Sequence, residues 1–142
     1  MIVYADSSFL VSSYVQDSHV NEFLRRVATR PIVWTTPFHK VETAHGIHLH
    51  VFYKRLTPDV AARAFRDFLQ DCAVGIWTTV PFPEKAWDTG ISLARQYAPT
   101  LGVRTLDSLH VACALELKVQ KFWTFDDRQA RLAQAIGLDI SA

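Results

Sequence analysis

Two short apolar runs, each closed by an aspartate, constrain this chain most. Ile2-Val3-Tyr4-Ala5 ends on Asp6, and Lys121-Phe122-Trp123-Thr124-Phe125 ends on Asp126. Brief β-branched and aromatic runs bounded by polar residues are strands. Their continuous apolar character, without polar alternation, implies burial on both sheet faces. Residues 32–36 and 75–80 read as two more strands. Helical spacing fills the gaps: 7–15, then 19–29 with Val20, Phe23, Leu24 and Val27 in phase, then 37–54 opened by Pro37. A helix begins at Thr57-Pro58, with Val60, Ala64, Phe65, Phe68 and Leu69 on one face. Residues 84–97 are helical, 99–102 a loop, 105–117 helical, and 128–136 a last helix stopped by Gly137. Strands separated by helices imply right-handed crossovers and an α/β fold with a mostly parallel sheet. Ligands of such sheets bind beyond the carboxyl ends of the strands. Asp6 and Asp126 stand at that edge.

Bulk properties agree. A chain of 142 residues fits one domain, 1–142, and 49% hydrophobic with 20% charged residues supports a sizeable core. The net charge of +1 neither requires nor excludes a nucleic-acid partner, for which a local basic patch suffices. Cys72 and Cys113 are too few for a disulfide framework and read as reduced core residues. No apolar stretch approaches the roughly 20 residues of a membrane span. The first residues carry no basic segment ahead of their apolar part, so no signal peptide is read there. A cytoplasmic setting is the expectation.

Each acidic residue has an ordinary explanation when taken singly. Asp6 is a natural N-cap for the helix at Ser7, and Asp126 or Asp127 for the last helix. Asp107 lies in a first helical turn, where negative charge suits the macrodipole. Glu42 is harder to place. Phe38, Val41, His45, Leu49 and Phe52 follow helical spacing, and Glu42 falls beside that stripe. A carboxylate near a buried face costs several kcal/mol unless paired or metal-bound. Lys40 and Arg104 are candidate partners. Taken together, Asp6, Glu42, Asp107 and Asp126 offer hard oxygen ligands suited to Mg²⁺ or Mn²⁺. Such a cluster repels itself without a cation. With one, it can activate water and stabilise charge on a phosphoryl oxygen.

The segments Tyr4-Ala5-Asp6-Ser7-Ser8, Val41-Glu42-Thr43-Ala44, Arg104-Thr105-Leu106-Asp107-Ser108-Leu109-His110-Val111-Ala112 and Trp123-Thr124-Phe125-Asp126 are similar to the four signature segments of PIN-domain ribonucleases. The nearest likeness is to the VapC-like toxins of bacterial and archaeal toxin–antitoxin pairs, and it extends over essentially the whole chain. The resemblance implies a PIN-like fold of four or five mostly parallel strands flanked by helices. It implies an endoribonuclease dependent on Mg²⁺ or Mn²⁺, with Asp6, Glu42, Asp107 and Asp126 as the catalytic, metal-holding acids. Ser8 and Thr124 would orient a carboxylate or a metal-bound water, and Asp127 would be a helix-start charge or a supporting residue. The resemblance also implies a homodimer, an RNA substrate and a cognate antitoxin whose peptide tail covers the acidic groove. Phe52, Tyr53, Phe65 and Phe68 are candidates for that partner surface or for the core.

RNA would be held mainly through phosphates. Lys54, Arg55, Arg63 and Arg66, or Lys118, Lys121, Arg128 and Arg131, are candidate contacts or ordinary solvated charges. Of the tryptophans, Trp34, Trp77 and Trp123 fall in strands and read as core, which leaves Trp87. Glu42-x-x-His45 and Asp107-x-x-His110 imitate the acid-x-x-His pairs of di-iron bundles. Four glutamates and four strands argue against such a bundle. His45, His48 and His50 read as helix surface. His110 reads as a satisfied core histidine or a support for the neighbourhood of Asp107. Two other functions fit the same residues: a housekeeping RNA-processing nuclease, and a non-catalytic binding module with a structural acidic rim.

Overall fold

The computed structural model describes residues 1–142. The four apolar runs form β1 (Ile2–Ala5), β2 (Ile32–Thr35), β3 (Trp77–Thr79) and β4 (Lys121–Trp123). All pair in parallel, in the order β3-β2-β1-β4. Seven helices connect them: α1 (Ser7–Val15), α2 (Val20–Val27), α3 (Pro37–Phe52), α4 (Pro58–Ala73), α5 (Ala86–Leu101), α6 (Thr105–Glu116) and α7 (Asp127–Ala135). The chain steps outward from β1 through β2 to β3, then returns to lay β4 on the other side of β1. The strand order therefore reverses between β1 and β4, and a crevice opens beyond their carboxyl ends.

Side chains alternate across the sheet as the strand period requires. Tyr4 and Phe122 face a core built with Leu93 of α5, Val111 of α6 and Leu132 of α7. Val3, Ala5 and Trp123 face the opposite core, with Phe9 of α1, Phe23 of α2 and Phe68 of α4. A smaller cluster of Val11, Ile47, Ala61 and Ala64 locks α1, α3 and α4 together. No helix is long and apolar enough to cross a membrane.

Two expectations need correction, and one open choice is settled. The stripe Val41, His45, Leu49 and Phe52 does not face the core: Val41 is 65% and Phe52 75% exposed. The buried line of α3 is His39, Thr43 and Ile47, which spacing of large apolar residues does not reveal. Residues 99–102 are not wholly loop. The helix runs through Pro99 to Leu101, and Gly102 at φ 64° closes it by donating to Ala98 O. Phe68 is fully buried and belongs to the core rather than to a partner surface.

Candidate active site

β1 and β4 deliver Asp6 and Asp126 to neighbouring points of the crevice. Ala5 pairs with Trp123, and Asp6 N–H donates to Trp123 O at 3.1 Å. Asp6 is fully buried. Its Oδ1 accepts from Phe9 N at 3.1 Å, capping α1, and from Ser8 Oγ at 2.7 Å. Its Oδ2 accepts from Thr124 Oγ1 at 2.5 Å. Burial pushes the Asp6 carboxyl above its ordinary pKa, although His110 and these hydrogen bonds pull the other way. The carboxylate is held firmly in place yet short of positive charge.

Asp126 caps α7 through Gln129 N at 3.0 Å. Thr124 Oγ1 ties the two aspartates together, accepting from Asp126 N at 2.9 Å while donating to Asp6. Asp107 sits in the first turn of α6, and its Oδ2 accepts from Arg104 N at 2.8 Å. The Arg104 guanidinium lies between Asp107, at 3.4 Å, and Asp126, at 3.3 Å. It is 62% exposed and makes one long contact to each, so it is a weak brace.

Glu42 pairs with neither Lys40 nor Arg104. Its Oε1 accepts from His110 Nε2, while His110 Nδ1 lies 2.8 Å from the Tyr4 hydroxyl. Burial holds the Tyr4 phenol well above its ordinary pKa, so Tyr4 donates to Nδ1 and Nε2–H is left for Glu42. His110 thus supports Glu42 rather than Asp107. A second histidine went unnoticed in the sequence. His39 Nδ1 accepts from Thr36 N at 2.9 Å, and its Nε2–H donates to Ala5 O at 2.9 Å. Burial drives its pKa well below the ordinary value, which keeps it neutral for this role. His39 ties the start of α3 to the residue before Asp6. Its position three residues after Thr36, just past Pro37, was the available signal, because that is the reciprocal-cap position of a helix start.

Asp6, Glu42, Asp107 and Asp126 line one cavity of about 600 Å³, joined by Asp17 and by a single arginine or lysine, Arg104. Ser8 is on its wall, and Gln129 lines it with a buried Oε1 that has no partner. Asp127 and Thr124 are not on the wall, and Asp127 is exposed. None of the other arginines and lysines proposed above for RNA lines this cavity, although Arg55 borders an adjoining one that shares Asp17 and His50. As placed, no three acidic, histidine or cysteine side chains are grouped to hold an ion. Mg²⁺ keeps several waters and takes only one or two direct carboxylates. The donor set therefore fits in kind: hard oxygens, one of them a buried carboxylate lacking a cation.

The PIN domain family pattern matches residues 3–135. This chain belongs to the PIN domain family. No curated protein matches it by sequence. Among solved structures it is similar to Mycobacterium tuberculosis VapC20, described as a Sarcin-Ricin loop cleaving toxin, with TM-score 0.69 and 15% identity over 96% of this chain and 95% of that one. It is similar to Rickettsia felis VapBC2, solved bound to a DNA fragment from its promoter, with TM-score 0.65 and 16% identity over 99% and 98%. FitAcB from Neisseria gonorrhoeae gives 0.66 and 17% over 100% and 97%. At these identities the PIN likeness is one of fold.

Proposed function

We propose that this PIN-domain chain is a metal-dependent endoribonuclease that hydrolyses RNA phosphodiester bonds, and that it is the toxin of a toxin–antitoxin pair acting in the cytoplasm. One observation carries the reading. Four carboxylates from distant parts of the sequence line one cavity at the point where the strand order reverses. Five carboxylates against one arginine make a wall that repels RNA phosphates. A divalent cation removes that barrier. Asp6 and Asp107 would hold Mg²⁺ or Mn²⁺ most directly, with Glu42 and Asp126 completing the shell through oxygen or water. When bound, such an ion supplies Lewis acidity to a water and to the scissile phosphate.

The chain's own residues set the geometry. Ser8 and Thr124 fix both oxygens of Asp6. The Tyr4–His110 pair fixes one oxygen of Glu42 and leaves the other for the cavity. Arg104, the exposed cation on the wall, is placed to meet a phosphate once it leaves the aspartates. VapC20 is described as a Sarcin-Ricin loop cleaving toxin, and VapBC2 as bound to a DNA fragment from its promoter. Those descriptions support the toxin role and a cognate antitoxin here. Exposed Val41, Leu49, Phe52 and Tyr53 on and after α3 provide apolar surface for the antitoxin or for a second copy in a homodimer.

The test is cleavage of RNA by the purified chain with Mg²⁺ or Mn²⁺, against chelator and against Asp6→Asn. Cleavage that needs the cation and vanishes in the variant supports the proposal. Absence of both cation binding and cleavage at millimolar Mg²⁺ and Mn²⁺ leaves a binding module. Growth arrest on induction separates the toxin from a housekeeping processing enzyme.

A further inference from the structure

An aromatic column runs from the core to the acidic cavity. Trp123 packs on Phe9 at 5.4 Å, Phe9 on Phe125 at 5.2 Å, and Phe125 on His19 at 4.5 Å with the last two rings only 6° from parallel. Trp123 and Phe9 are fully buried, Phe125 is half-buried and His19 is exposed. Phe125 and His19 both line the cavity that holds the four acids. The column ends in a flat ring with one face covered by Phe125 and no hydrogen bond to its ring nitrogens.

That terminal ring is held in place. Phe125 N–H donates to Ser8 Oγ at 2.9 Å, the same hydroxyl that donates to Asp6. His19 N–H donates to Asp17 Oδ1 at 2.9 Å, and Asp17 Oδ2 accepts from Ser12 Oγ at 2.7 Å. The stack is thereby keyed to Asp6 through Ser8. A planar ligand added to His19 would extend an existing stack without disturbing the core.

Resting on the nuclease reading above, we infer that the outer face of His19 is a stacking subsite for an unpaired nucleobase next to the scissile phosphate. Bases in single-stranded loops stack on aromatic side chains, histidine included, whereas bases within a duplex are shielded by their neighbours. The substrate class is RNA with an unstacked base beside the cut. The subsite reads the flat face of a base rather than its edge, so it tolerates any of the four.

The test takes the chain with its acids intact as the parent, with Mg²⁺ and a short single-stranded RNA that carries a non-cleavable linkage at the cut site and a fluorescent purine beside it, with a matched RNA lacking that base. His19→Ala on that background is expected to bind the intact RNA about 5- to 100-fold more weakly, the scale of one lost base stack, and the abasic RNA no more weakly than its parent does. His19→Phe keeps a flat ring and is expected to bind the intact RNA as the parent does. The subsite is overturned if His19→Ala binds both RNAs as its parent does, or weakens both equally, which marks a phosphate contact. Base-dependent binding without metal-dependent cleavage by the unmodified chain overturns the nuclease reading and leaves the subsite standing. Metal-dependent cleavage unaffected by His19→Ala, at sites flanked by a base or by none, does the reverse.

Discussion

Gly46 is where the fold and the acidic site meet. It lies one turn beyond Glu42 on α3, on the side that packs against α1. A Cβ added there would stand 2.7 Å from Val11 Cγ2. Ordinary carbon contacts lie at about 3.5–4.0 Å, so the helices must part by roughly 1 Å. Val11 cannot swing aside easily: its χ1 is stiff in a helix, and it packs with Ile47, Ala61 and Ala64. Overpacking of this kind costs about 1–3 kcal/mol. Against that, alanine in place of glycine in a helix gains about 1 kcal/mol. Gly46→Ala should therefore be neutral to about 2 kcal/mol destabilising, the balance of those two effects. In a Val11→Ala background the obstructing methyl is gone, and the same change should stabilise by about 1 kcal/mol. The prediction is a coupling of roughly 1–3 kcal/mol, read by urea denaturation of the four proteins. Equal effects of Gly46→Ala in both backgrounds would refute the close approach of α1 and α3. The same separation draws Glu42 away from Asp6, so Gly46→Ala should also weaken Mn²⁺ binding, and Val11→Ala should restore part of it.

Asp6→Asn keeps the α1 cap and relieves a buried charge, so its Tm in chelator should equal or exceed that of the parent while Mn²⁺ no longer raises it; a large Tm loss in thermal denaturation would show that the charge is structural. His110→Phe fills the ring's place but strips Glu42 of its partner, and Mn²⁺ affinity should fall about 10-fold by titration calorimetry; an unchanged affinity would detach Glu42 from the site. Arg104→Gln removes a competing cation, so Mn²⁺ should bind up to a few-fold tighter; weaker binding in the same titration would show that Arg104 holds the acids in place for the ion rather than competing with it. For His39 the depressed folded pKa means that the unfolded chain binds a proton the folded chain refuses. Its stability contribution is complete above about pH 6.5 and falls by up to about 1.4 kcal/mol per unit as pH drops below that. Urea midpoints across pH 5–8 should show this slope, and His39→Gln should flatten it.

The sheet was legible in the sequence because each strand is short, apolar and punctuated. Asp6 and Asp126 were legible for the same reason, since chain position alone puts a residue after β1 and β4 at the carboxyl edge. Asp107 came from its place at the start of a strongly helical segment. Glu42 was located with the wrong neighbours. The large residues Val41, Leu49 and Phe52 suggested the buried face, but α3 packs by its small and polar side, through Gly46, Thr43 and His39. A helix pressed close to two others needs small residues at the contact, and a search for apolar bulk passes over them. His110 and His39 were missed as partners because their bonds span 68 residues to Glu42 and 34 to Ala5. No local pattern carries pairings of that range.

Large apolar residues left outside the core have a further consequence. A chain that buries its small side chains and exposes Phe52, Tyr53, Val41 and Leu49 has placed hydrophobic area where the monomer gains nothing from it. Scattered single residues of this kind are ordinary, but Val41, Leu49 and Phe52 lie on one helix with spacings of eight and three residues, near a common line. That line is on the opposite side of α3 from the buried His39 and Ile47, so a partner seated there meets the helix that carries Glu42 without entering the acidic cavity. A Phe52→Glu change should therefore weaken association with a second copy or an antitoxin in size-exclusion and pull-down assays while leaving Mn²⁺ binding and RNA cleavage intact. Loss of Mn²⁺ binding in a folded Phe52→Glu protein would show that the two faces of α3 are not independent, and that the helix transmits partner binding to Glu42.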